Sequence, residues 1–321
     1  MSGALALSYV LPLRWLEDGG LDELTGYLRY LASRCEVIVV DASPAPRAEA
    51  HRVAWRGLAR VVAPLPLPAR NGKARGVLTG VPLARHEAVV IADDDVRYDE
   101  PQLRRVAGML EQADLVRPQN HFAPMPWHAR WDSARSLLNR AMGADYPGTL
   151  GIRRSTFEAM GGYDGDVLFE NLELIRTVRA HGGRVASPPD LYVRRLPPTT
   201  RRFLGQRVRQ AYDDLAQPPR LALFLSVVPA IAVGGRRVAA LVAAGAVGVA
   251  EIGRRKAGGR RVFPAGASLL APAWVAERAL CSWIALAVRL RRGGCPYAGS
   301  VIPRAATPSR RLRARARARP T

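Results

Sequence analysis

Three consecutive aspartates, Asp93 to Asp95, directly follow the apolar run Ala88 to Ile91, where a buried strand would end. In an extended chain alternate side chains share a face, so we expect Asp93 and Asp95 to point into one cleft. Two carboxylates at that place can hold a hard divalent cation, which prefers oxygen ligands and can bridge the phosphates of a nucleotide diphosphate. The alternative is a solvated acidic turn that holds no ligand.

The segments around these aspartates predict the elements that position them. Apolar runs at residues 4–11, 36–40 and 88–92 are typical of strands in a sheet covered on both faces, and leucines at helical spacing between the first two runs predict a helix. The order β-α-β predicts a parallel sheet with right-handed crossovers. Ligands bind beyond the carboxyl ends of such strands, where we expect Asp41 and the three aspartates to lie.

Charge is divided unevenly along the 321 residues. Residues 1–200 carry a formal net charge of +2, whereas residues 201–321 carry +19 of the total +21 and also hold the most apolar stretches. This shift predicts four parts. They are a catalytic domain at 1–200, an amphipathic junction at 201–219, an apolar helical membrane-associated region at 220–292 and a basic, disordered tail at 293–321.

Cysteine usage and the N-terminal sequence argue against a secreted protein. Cys35, Cys281 and Cys295 are far apart and odd in number, so a disulfide framework or a zinc site is not expected. Residues 4–11 have no preceding basic residues and no small-residue cleavage pattern, so they predict a first strand instead of a signal peptide. We expect the domain that begins there to stay in the cytosol.

Four segments, in this order and spacing, resemble the family 2 glycosyltransferases, which have the GT-A fold of nucleotide-diphospho-sugar transferases with its Rossmann-like mixed sheet. The resemblance covers roughly residues 4–212. It implies inverting transfer of a sugar from a nucleotide-sugar donor, expected to be UDP-linked, with Mg²⁺ or Mn²⁺ held by Asp93 and Asp95. It also implies that Asp41 reads the nucleobase or ribose and that Lys73 contacts the diphosphate. The segments are the strand ending in Asp41, Asn71 to Gly76, Ile91 to Val96, and Gly151 to Tyr163.

Asp41 and Lys73 also allow purely structural roles. Asp41 can cap a turn, and Lys73 can belong to a solvated helix start. A cation at a helix N-terminus is unfavourable unless an anion lies there, which favours a phosphate-facing Lys73.

The catalytic base departs from the family pattern. Family members place a Glu-Asp pair ahead of a helix, and the Asp accepts the proton of the acceptor hydroxyl, whereas this chain has Glu170-Asn171. An amide has no basic site near neutral pH, so Asn171 cannot take that role. We expect Glu170 to be the base, with Glu173, on the same helix face, or Asp166 as the next candidates. The alternative is that these acids only complement the helix dipole in a catalytically degenerate scaffold.

The junction resembles the Gln-x-x-Arg-Trp element of membrane-bound, lipid-directed family members. Gln206 and Arg209 match that element, which implies that they help to hold the donor, with Arg209 forming bidentate hydrogen bonds to its diphosphate. Gln210 stands where the family has Trp, and Tyr212 is expected to replace that Trp at the acceptor. The alternative is a basic amphipathic helix that lies on the membrane.

Two tryptophans lie between the aspartates and the base. Trp127 and Trp131 are four residues apart, so they can form one wall that stacks against a sugar or a lipid-linked acceptor. Core packing is the alternative.

Three largely apolar runs at residues 221–233, 238–250 and 262–288 are separated by basic loops. A spanning helix needs about 20 apolar residues, so the first two runs are short. Positive loops stay cytoplasmic, so a simple hairpin across 221–250 would place Arg236 and Arg237 on the wrong side. We expect re-entrant or interfacial helices, with buried helices of a soluble domain as the alternative.

The arginine-rich stretch between residues 310 and 319 predicts binding to an anionic surface. Each arginine near an anionic leaflet contributes up to about 1 kcal/mol at low salt. Nucleic acid is a second possible partner, but the chain has no recognisable nucleic-acid module, so we do not expect it. The expected partners are a nucleotide-sugar donor, a lipid, lipid-linked or polysaccharide acceptor, and the anionic membrane surface, with the catalytic domain facing the cytoplasm.

Overall fold

The computed structural model describes residues 4–17 and 20–318. The strands are β1 Leu7–Leu13, β2 Glu36–Asp41, β3 Arg60–Val62, β4 Ala88–Ala92, β5 Val96–Arg97, β6 Leu115–Val116, β7 Gln119–Phe122, β8 Thr149–Arg153, β9 Val185–Ala186, β10 Tyr192–Arg195, β11 Cys295–Tyr297 and β12 Ser300–Ile302. The helices are α1 Leu21–Ala32, α2 Ala45–Ala54, α3 Gly72–Gly80, α4 Glu100–Leu110, α5 Trp127–Ala141, α6 Arg154–Ala159, α7 Glu170–Ala180, α8 Thr200–Gly205, α9 Arg207–Ala211, α10 Pro218–Arg255, α11 Ala265–Leu269, α12 Ala271–Arg292 and α13 Ser309–Ala318.

The chain forms two compact units, each assembled from separate chain segments. Unit 1 consists of Met1–Pro118, Pro147–Pro188 and Thr307–Thr321, and unit 2 consists of Gln119–Tyr146 and Pro189–Ala306. This division differs from the contiguous parts predicted from charge and hydropathy. Residues 119–146 leave the predicted catalytic domain, and the chain returns to unit 1 at Thr307.

Unit 1 is built on a seven-stranded sheet with the order β3-β2-β1-β4-β8-β6-β9. β1 is parallel to β2 and to β4, and β2 is parallel to β3, whereas β8 is antiparallel to both β4 and β6. The predicted Rossmann-like mixed sheet is therefore confirmed. The narrower prediction of a parallel sheet holds for β1 to β4 and also for β6 and β9, which run in the same direction. It is wrong for β8, which is antiparallel to both of its neighbours.

The strand register places the predicted donor residues along one edge of this sheet. Leu13 at the end of β1 lies beside Asp41 at the end of β2, and Val10 in β1 lies beside Ile91 near the end of β4. The three strands are parallel, so their carboxyl ends meet there. Asp41 and the segment that begins at Asp93 are thus brought to the same edge, as the sequence predicted.

Helix α3 approaches the sheet closely at Gly80, because glycine has no side chain at this contact. A Cβ added to Gly80 would be 2.5 Å from Cγ1 of Val10 and 2.9 Å from Cγ2 of Val40. Such distances are far below van der Waals contact, so only glycine allows this approach. This close packing of α3 on the sheet fixes the position of its N-terminal turn, which carries Lys73, relative to the strands.

The C-terminal segment of unit 1 is helical, so the prediction of a disordered tail is wrong for residues 309–318. Helix α13 packs against α7, with Leu312 buried, and Arg315 forms an ion pair with Asp164 at 3.2 Å. The segment is also held at Thr307, whose backbone N–H donates to the carboxylate of Glu173 at 2.6 Å. One buried leucine and these two anchors supply the tertiary contacts that composition alone did not reveal. Residues 319–321 of the predicted tail lie outside the described residues.

Unit 2 combines two small sheets with a group of helices. β7 and β10 pair in parallel, and β11 and β12 form an antiparallel hairpin. Helices α5, α10, α11 and α12 share one apolar core. Its large buried members are Leu137, Phe224, Phe263 and Trp274.

Two helical stretches in unit 2, Pro218–Arg261 and Ala271–Arg292, are long and apolar enough to cross a membrane by length and composition. The first stretch is not one straight helix, because Gly235 has φ 58° and breaks α10 directly before Arg236 and Arg237. The break lies between the two short apolar runs at residues 221–233 and 238–250 that the sequence analysis described. Nine large apolar side chains on these helices are exposed: Leu223, Val228, Val233, Leu241, Ile252, Leu280, Trp283, Ile284 and Leu290.

Candidate active site

The aspartates after β4 form a turn, so the prediction of an extended Asp93 to Asp95 segment is wrong. The N–H of Val96 donates to the carbonyl oxygen of Asp93 at 3.1 Å, which closes the turn between β4 and β5. All three side chains are half-buried. The middle residue, Asp94, accepts a hydrogen bond from the indole Nε1 of Trp15 at 2.5 Å, so this turn is tied to the segment that follows β1.

Lys73 joins the aspartate turn to the predicted base. Its Nζ lies 2.5 Å from Oδ1 of Asp93 and 2.7 Å from Oε1 of Glu170. Burial alone would lower the pKa of Lys73, but the two carboxylates outweigh burial and raise the pKa above its ordinary value. Lys73 is therefore a permanent cation between two acids. A cation at the start of α3 was expected to need an anion beside it, and the carboxylates of Asp93 and Glu170 supply that negative charge.

Asn71 organises the start of α3 and the segment before α7. Its Oδ1 accepts hydrogen bonds from the backbone N–H groups of Lys73 and Ala74 at 3.0 and 3.3 Å, which makes it the N-cap of α3. Its Nδ2 donates to the carbonyl oxygens of Val167 and Leu168 at 2.9 and 3.1 Å. One buried amide thus connects the helix that carries Lys73 to the chain that leads into Glu170.

Among the three predicted base candidates, only Glu170 faces the aspartate turn. Glu173 has no exposed surface, and burial raises its pKa even though its carboxylate accepts the Thr307 N–H. Asp166 accepts a hydrogen bond from the backbone N–H of Arg70 at 3.0 Å and shapes the loop before α7. The structure therefore gives Glu173 and Asp166 structural roles in place of the predicted role as alternative bases.

Asn171 makes a contact that an aspartate cannot make. Its Nδ2 donates to the carbonyl oxygen of Pro147 at 2.8 Å. A carboxylate has no N–H group and would place negative charge against this carbonyl oxygen. The residue that breaks the family pattern therefore holds the chain segment that leads into β8.

Asp41 lies at the expected strand end, but its carboxylate is already bound within unit 1. Oδ2 lies 2.7 Å from Nδ1 of His51, and Oδ1 accepts the N–H of Ser43 at 2.9 Å. The His51 ring stacks on Trp55 at 4.6 Å, and Trp15 lies edge-on to it at 5.3 Å. The carboxylate that was predicted to read a nucleobase therefore binds the histidine at the centre of this aromatic cluster.

The aspartate turn offers a divalent cation part of a coordination shell. Asp93 and Asp95 supply carboxylate oxygens, which are the ligands that Mg²⁺ and Mn²⁺ prefer, so the chemistry of these side chains fits such a cation. Within residues 4–17 and 20–318 no group of three or more His, Cys, Asp or Glu side chains is placed to hold a metal. A cation bound at this turn therefore takes its further oxygen ligands from water or from a bound molecule.

In unit 2 the junction contains a buried arginine, Arg207, to which the sequence analysis assigned no role. Arg207 forms ion pairs with Asp132 at 3.0 Å and with Glu277 at 2.6 Å, and it donates to Oε1 of Gln210 at 2.9 Å. Burial alone would raise the pKa of Asp132, but the guanidinium groups of Arg135 and Arg207 hold it below its ordinary value. Gln210, which stands in the place of the family's Trp, thus supports an ion-pair network.

The remaining predicted junction residues have different surroundings within unit 2. Gln206 is half-buried and precedes α9, and the guanidinium of Arg209 lies 5.6 Å from the centre of the Tyr297 ring. Tyr212 is only 1% exposed and its hydroxyl donates to the carbonyl of Pro303 at 3.4 Å. The structure therefore gives Tyr212 a packing role in place of the predicted contact with an acceptor.

The two tryptophans of the predicted acceptor wall are not equivalent. Trp131 is half-buried, contacts the apolar core of unit 2 and donates from Nε1 to Glu277 at 2.5 Å. Trp127 is 53% exposed and has Phe203 edge-on at 5.7 Å. Packing accounts for Trp131, and only Trp127 offers a ring face to a ligand.

Several residues of the site were not identified from the sequence as functional. Trp15 and His51 lie in segments without any motif, and Asp94, the partner of Trp15, is distant along the chain. Asn71 carried a usable signal, because Asn directly before a helix start is a preferred N-cap. Arg207 had none, since it is one of many arginines in a basic segment.

Comparison with known proteins finds a family match for part of the chain. The family model described as glycosyl transferase family 2 matches residues 24–164, which include Asp41, Lys73 and the aspartate turn. The match ends before Glu170, and it includes only the beginning of unit 2. No curated protein matches the sequence.

Solved glycosyltransferase structures resemble this chain to different degrees. A mannosyltransferase from Pyrobaculum calidifontis, PcManGT, solved in complex with GDP-Man and Mn²⁺, is 19% identical over 88% of each chain with a TM-score of 0.55. Glucosyl-3-phosphoglycerate synthase from Mycobacterium tuberculosis, solved with Mn²⁺ and UDP, is 19% identical over 62% of this chain and 74% of its own, with a TM-score of 0.41. S. aureus TarS 1–349 with UDP-GlcNAc is 13% identical over 62% of this chain and 60% of its own, with a TM-score of 0.43. The likeness to PcManGT shows the GT-A fold.

Proposed function

The chain carries a family 2 glycosyltransferase domain, and on that premise we propose that it transfers a sugar, with inversion, from a nucleotide-sugar donor to a lipid, lipid-linked or polysaccharide acceptor. The proposed donor is UDP-linked, as the resemblance to the family implies. The proposed site is the edge of the unit 1 sheet at Asp41, Lys73, Asp93, Asp95 and Glu170. The proposed location is the cytoplasmic face of the membrane.

The observation that carries this proposal is the bridge that Lys73 forms between Asp93 and Glu170. Its ammonium lies within 2.7 Å of a carboxylate oxygen from each. A cation that holds the donor diphosphate and a carboxylate that accepts a proton must flank the anomeric carbon, so their separation must be short. The bridge brings the proposed diphosphate ligand and the proposed base together in unit 1.

Glu170 is the proposed general base. The oxygen of the acceptor hydroxyl attacks the anomeric carbon, the bond from that carbon to the diphosphate oxygen breaks, and the hydroxyl proton moves to a Glu170 oxygen. The bonding electrons leave with the nucleoside diphosphate. Removal of a general base typically costs about 10² to 10⁴ in rate.

Asp93 and Asp95 are the proposed ligands of Mg²⁺ or Mn²⁺, and Lys73 is the proposed partner of the diphosphate. When it is bound, the cation supplies positive charge that stabilises the leaving diphosphate. Trp15 holds the turn by its hydrogen bond to Asp94. In unit 2, Gln206 and Arg209 are further proposed donor ligands, and Trp127 is the proposed stacking surface for the acceptor.

The proposed membrane location rests on two features of unit 2. Its two candidate spans expose large apolar side chains, which is unfavourable in water. Basic residues flank the apolar helices, as at Arg236 and Arg237, and positive charge marks segments that stay on the cytoplasmic side.

Calorimetric titration of the detergent-solubilised chain tests the donor site. UDP, GDP and their sugars are titrated with and without Mn²⁺ into the unmodified protein, Asp95→Asn and Asp99→Asn. Asp99 caps α4 four residues away, and Asn caps helices equally well, so Asp99→Asn is a matched control. We expect one nucleotide to bind only with Mn²⁺, and the binding to be lost in Asp95→Asn alone. Failure of every nucleotide to bind would favour the degenerate scaffold instead.

A further inference from the structure

The ammonium of Lys73 lies against one carboxylate oxygen of Asp93, a residue that is proposed as a metal ligand. It lies 2.5 Å from Oδ1 of Asp93, which is direct ion-pair contact. A divalent cation bound to the same oxygen would lie against this ammonium, and two cations so close repel each other. Asp93 can therefore serve fully as a metal ligand only after the ammonium has moved.

The Lys73 ammonium also contacts Glu170. Oε1 of Glu170 lies 2.7 Å from the Lys73 ammonium, and Oε2 lies 3.4 Å from Nδ2 of Asn71. The backbone of Lys73 is fixed by the Asn71 cap, while the side chain has a flexible four-carbon stem. Movement of the ammonium thus needs only rotation of the side chain and no movement of α3.

We propose that Lys73 is an internal competitor of the metal ion, which occupies the cation position at Asp93 until a nucleotide diphosphate offers it a new anionic partner. The inference rests on the proposed function, since it takes the aspartate turn as the metal site. The incoming diphosphate draws the ammonium away from Asp93 and also completes the metal's oxygen shell. Metal and nucleotide must then bind cooperatively, and each strengthens the binding of the other by the same factor.

The same movement controls when the base is available. With Lys73 on the diphosphate, Glu170 loses its ion-pair partner and can accept a hydrogen bond from the acceptor hydroxyl. Without donor, Glu170 stays paired, so water is not activated near an empty donor site. Lys73 is in this sense a positioning residue for Asp93 and Glu170, in addition to its proposed contact with the diphosphate.

The first test measures Mn²⁺ binding without any nucleotide, from the electron paramagnetic resonance signal of free Mn²⁺. For Lys73→Met we expect at least tenfold tighter Mn²⁺ binding than for the unmodified protein, because the competing cation is gone. Lys73→Arg keeps the charge and should bind Mn²⁺ as weakly as the unmodified protein. UDP binding to Lys73→Met with Mn²⁺ should weaken, and its dependence on Mn²⁺ should fall. Mn²⁺ binding to Lys73→Met that is no tighter than normal overturns the proposal.

A second measurement uses the unmodified chain and does not depend on a stable variant. The sequence contains only two lysines, Lys73 and Lys256. Lys256 donates from Nζ to the carbonyl oxygens of Arg140 and Gly143 within unit 2, so it is an internal reference. With selectively labelled lysine, we expect the Lys73 Cε resonance to shift when Mg²⁺ and UDP are added together and the Lys256 resonance to stay. An unchanged Lys73 resonance at saturating Mg²⁺ and UDP contradicts the movement.

The two ideas can fail separately. Absence of nucleotide binding to the unmodified protein, at any Mn²⁺ concentration, defeats the proposed function. Normal cooperative binding of Mn²⁺ and UDP, together with unchanged Mn²⁺ affinity in Lys73→Met, defeats only the role of Lys73 as a competitor.

Discussion

The side-chain amide of Asn171 donates a hydrogen bond to the carbonyl oxygen of Pro147 at 2.8 Å. Asn171 stands where family 2 glycosyltransferases have their catalytic Asp. The contact gives the amide a structural task, because an ionised Asp in its place has no donor for this carbonyl. The absence of an Asp at position 171 does not leave the site without a carboxylate. Glu170, the preceding residue, faces Lys73 and the aspartate turn.

Restoring the family's Asp at this position should therefore harm the protein. We expect Asn171→Asp to lower the free energy of unfolding by about 1–3 kcal/mol, because the Pro147 carbonyl loses its donor and faces a carboxylate. Transfer activity should not rise. Asn171→Ala, which removes the amide without adding charge, should be less destabilised. Melting temperatures and initial transfer rates measure both effects, and a gain of transfer in Asn171→Asp would revive the degenerate-scaffold hypothesis.

The two glutamates at the start of α7 should respond differently to the same substitution. We expect Glu170→Gln to lower the single-turnover transfer rate by about 10² to 10⁴ while nucleotide still binds. Glu173→Gln, three residues later and without exposed surface, should keep the normal rate. Equal rate losses in both variants would assign the effect to distortion of α7 instead of proton transfer.

Glu173 should make stability depend on pH. Burial raises its folded-state pKa above the ordinary 4.5, so the folded chain retains a proton that the unfolded chain has lost. Its contribution to the free energy of unfolding is full below pH 4.5 and is lost as pH rises through the raised pKa. Glu173→Gln keeps an oxygen for the Thr307 N–H, so we expect it to remove this pH dependence and to raise the melting temperature at neutral pH.

Glu173→Ala provides the control for that experiment. It removes the acceptor of the Thr307 N–H and should cost about 1–3 kcal/mol of unfolding free energy at every pH. Melting temperatures recorded between pH 4 and 8 distinguish the variants. A wild-type pH slope that persists in Glu173→Gln would assign the slope to another group.

Trp15 should support metal-dependent donor binding without contacting the metal. Trp15→Phe keeps an aromatic ring but loses the hydrogen bond to Asp94, a loss that costs about 1.5–3 kcal/mol for a charged acceptor. We expect roughly tenfold weaker nucleotide binding with Mn²⁺. Trp55→Phe is matched, because its indole donates to Thr25 at 2.8 Å and does not contact the aspartate turn. Calorimetry should show weaker binding only for Trp15→Phe.

Helix α13 should contribute to binding of anionic membranes. We expect replacement of Arg310, Arg311 and Arg313 by Gln to weaken binding to phosphatidylserine vesicles by up to about 1 kcal/mol per residue at low salt. Leu312 stays, so the helix keeps its contact with unit 1. Sedimentation with anionic and with zwitterionic vesicles measures the effect. Equal binding of the triple variant and the unmodified chain would remove α13 from the membrane proposal, and salt-sensitive binding to nucleic acid would favour the other partner.

The sequence was sufficient to predict the core of unit 1, since that depends on local apolar runs. Each of the strands at 4–11, 36–40 and 88–92 has a counterpart in β1, β2 and β4, with boundaries shifted by up to three residues. Their parallel order placed Asp41 and Asp93 on one edge. Periodicity between these runs likewise predicted α1, whose Leu24, Leu28 and Leu31 are buried.

The parts that were missed depend on contacts between distant residues. Trp15 and Asp94 are 79 positions apart, and Glu173 and Thr307 are 134 apart, and nothing in the local pattern signals either pair. The aspartate turn was predicted to be extended because the apolar run before it is extended, yet a single hydrogen bond from Val96 reverses the chain. Arg207 was not identified from the sequence, because only its surroundings distinguish one arginine from the next.

The hydrogen bond between Glu173 and Thr307 has a consequence for the order in which the protein can be made. During synthesis Glu173 leaves the ribosome 134 residues before its partner. Helices α10, α11 and α12 of unit 2 emerge in that interval, when the buried carboxylate of α7 still lacks the N–H of Thr307. The proposed catalytic unit is therefore completed only after residues 218–292 have been synthesised, so nascent chains that stall before Thr307 should not yet hold a finished unit 1.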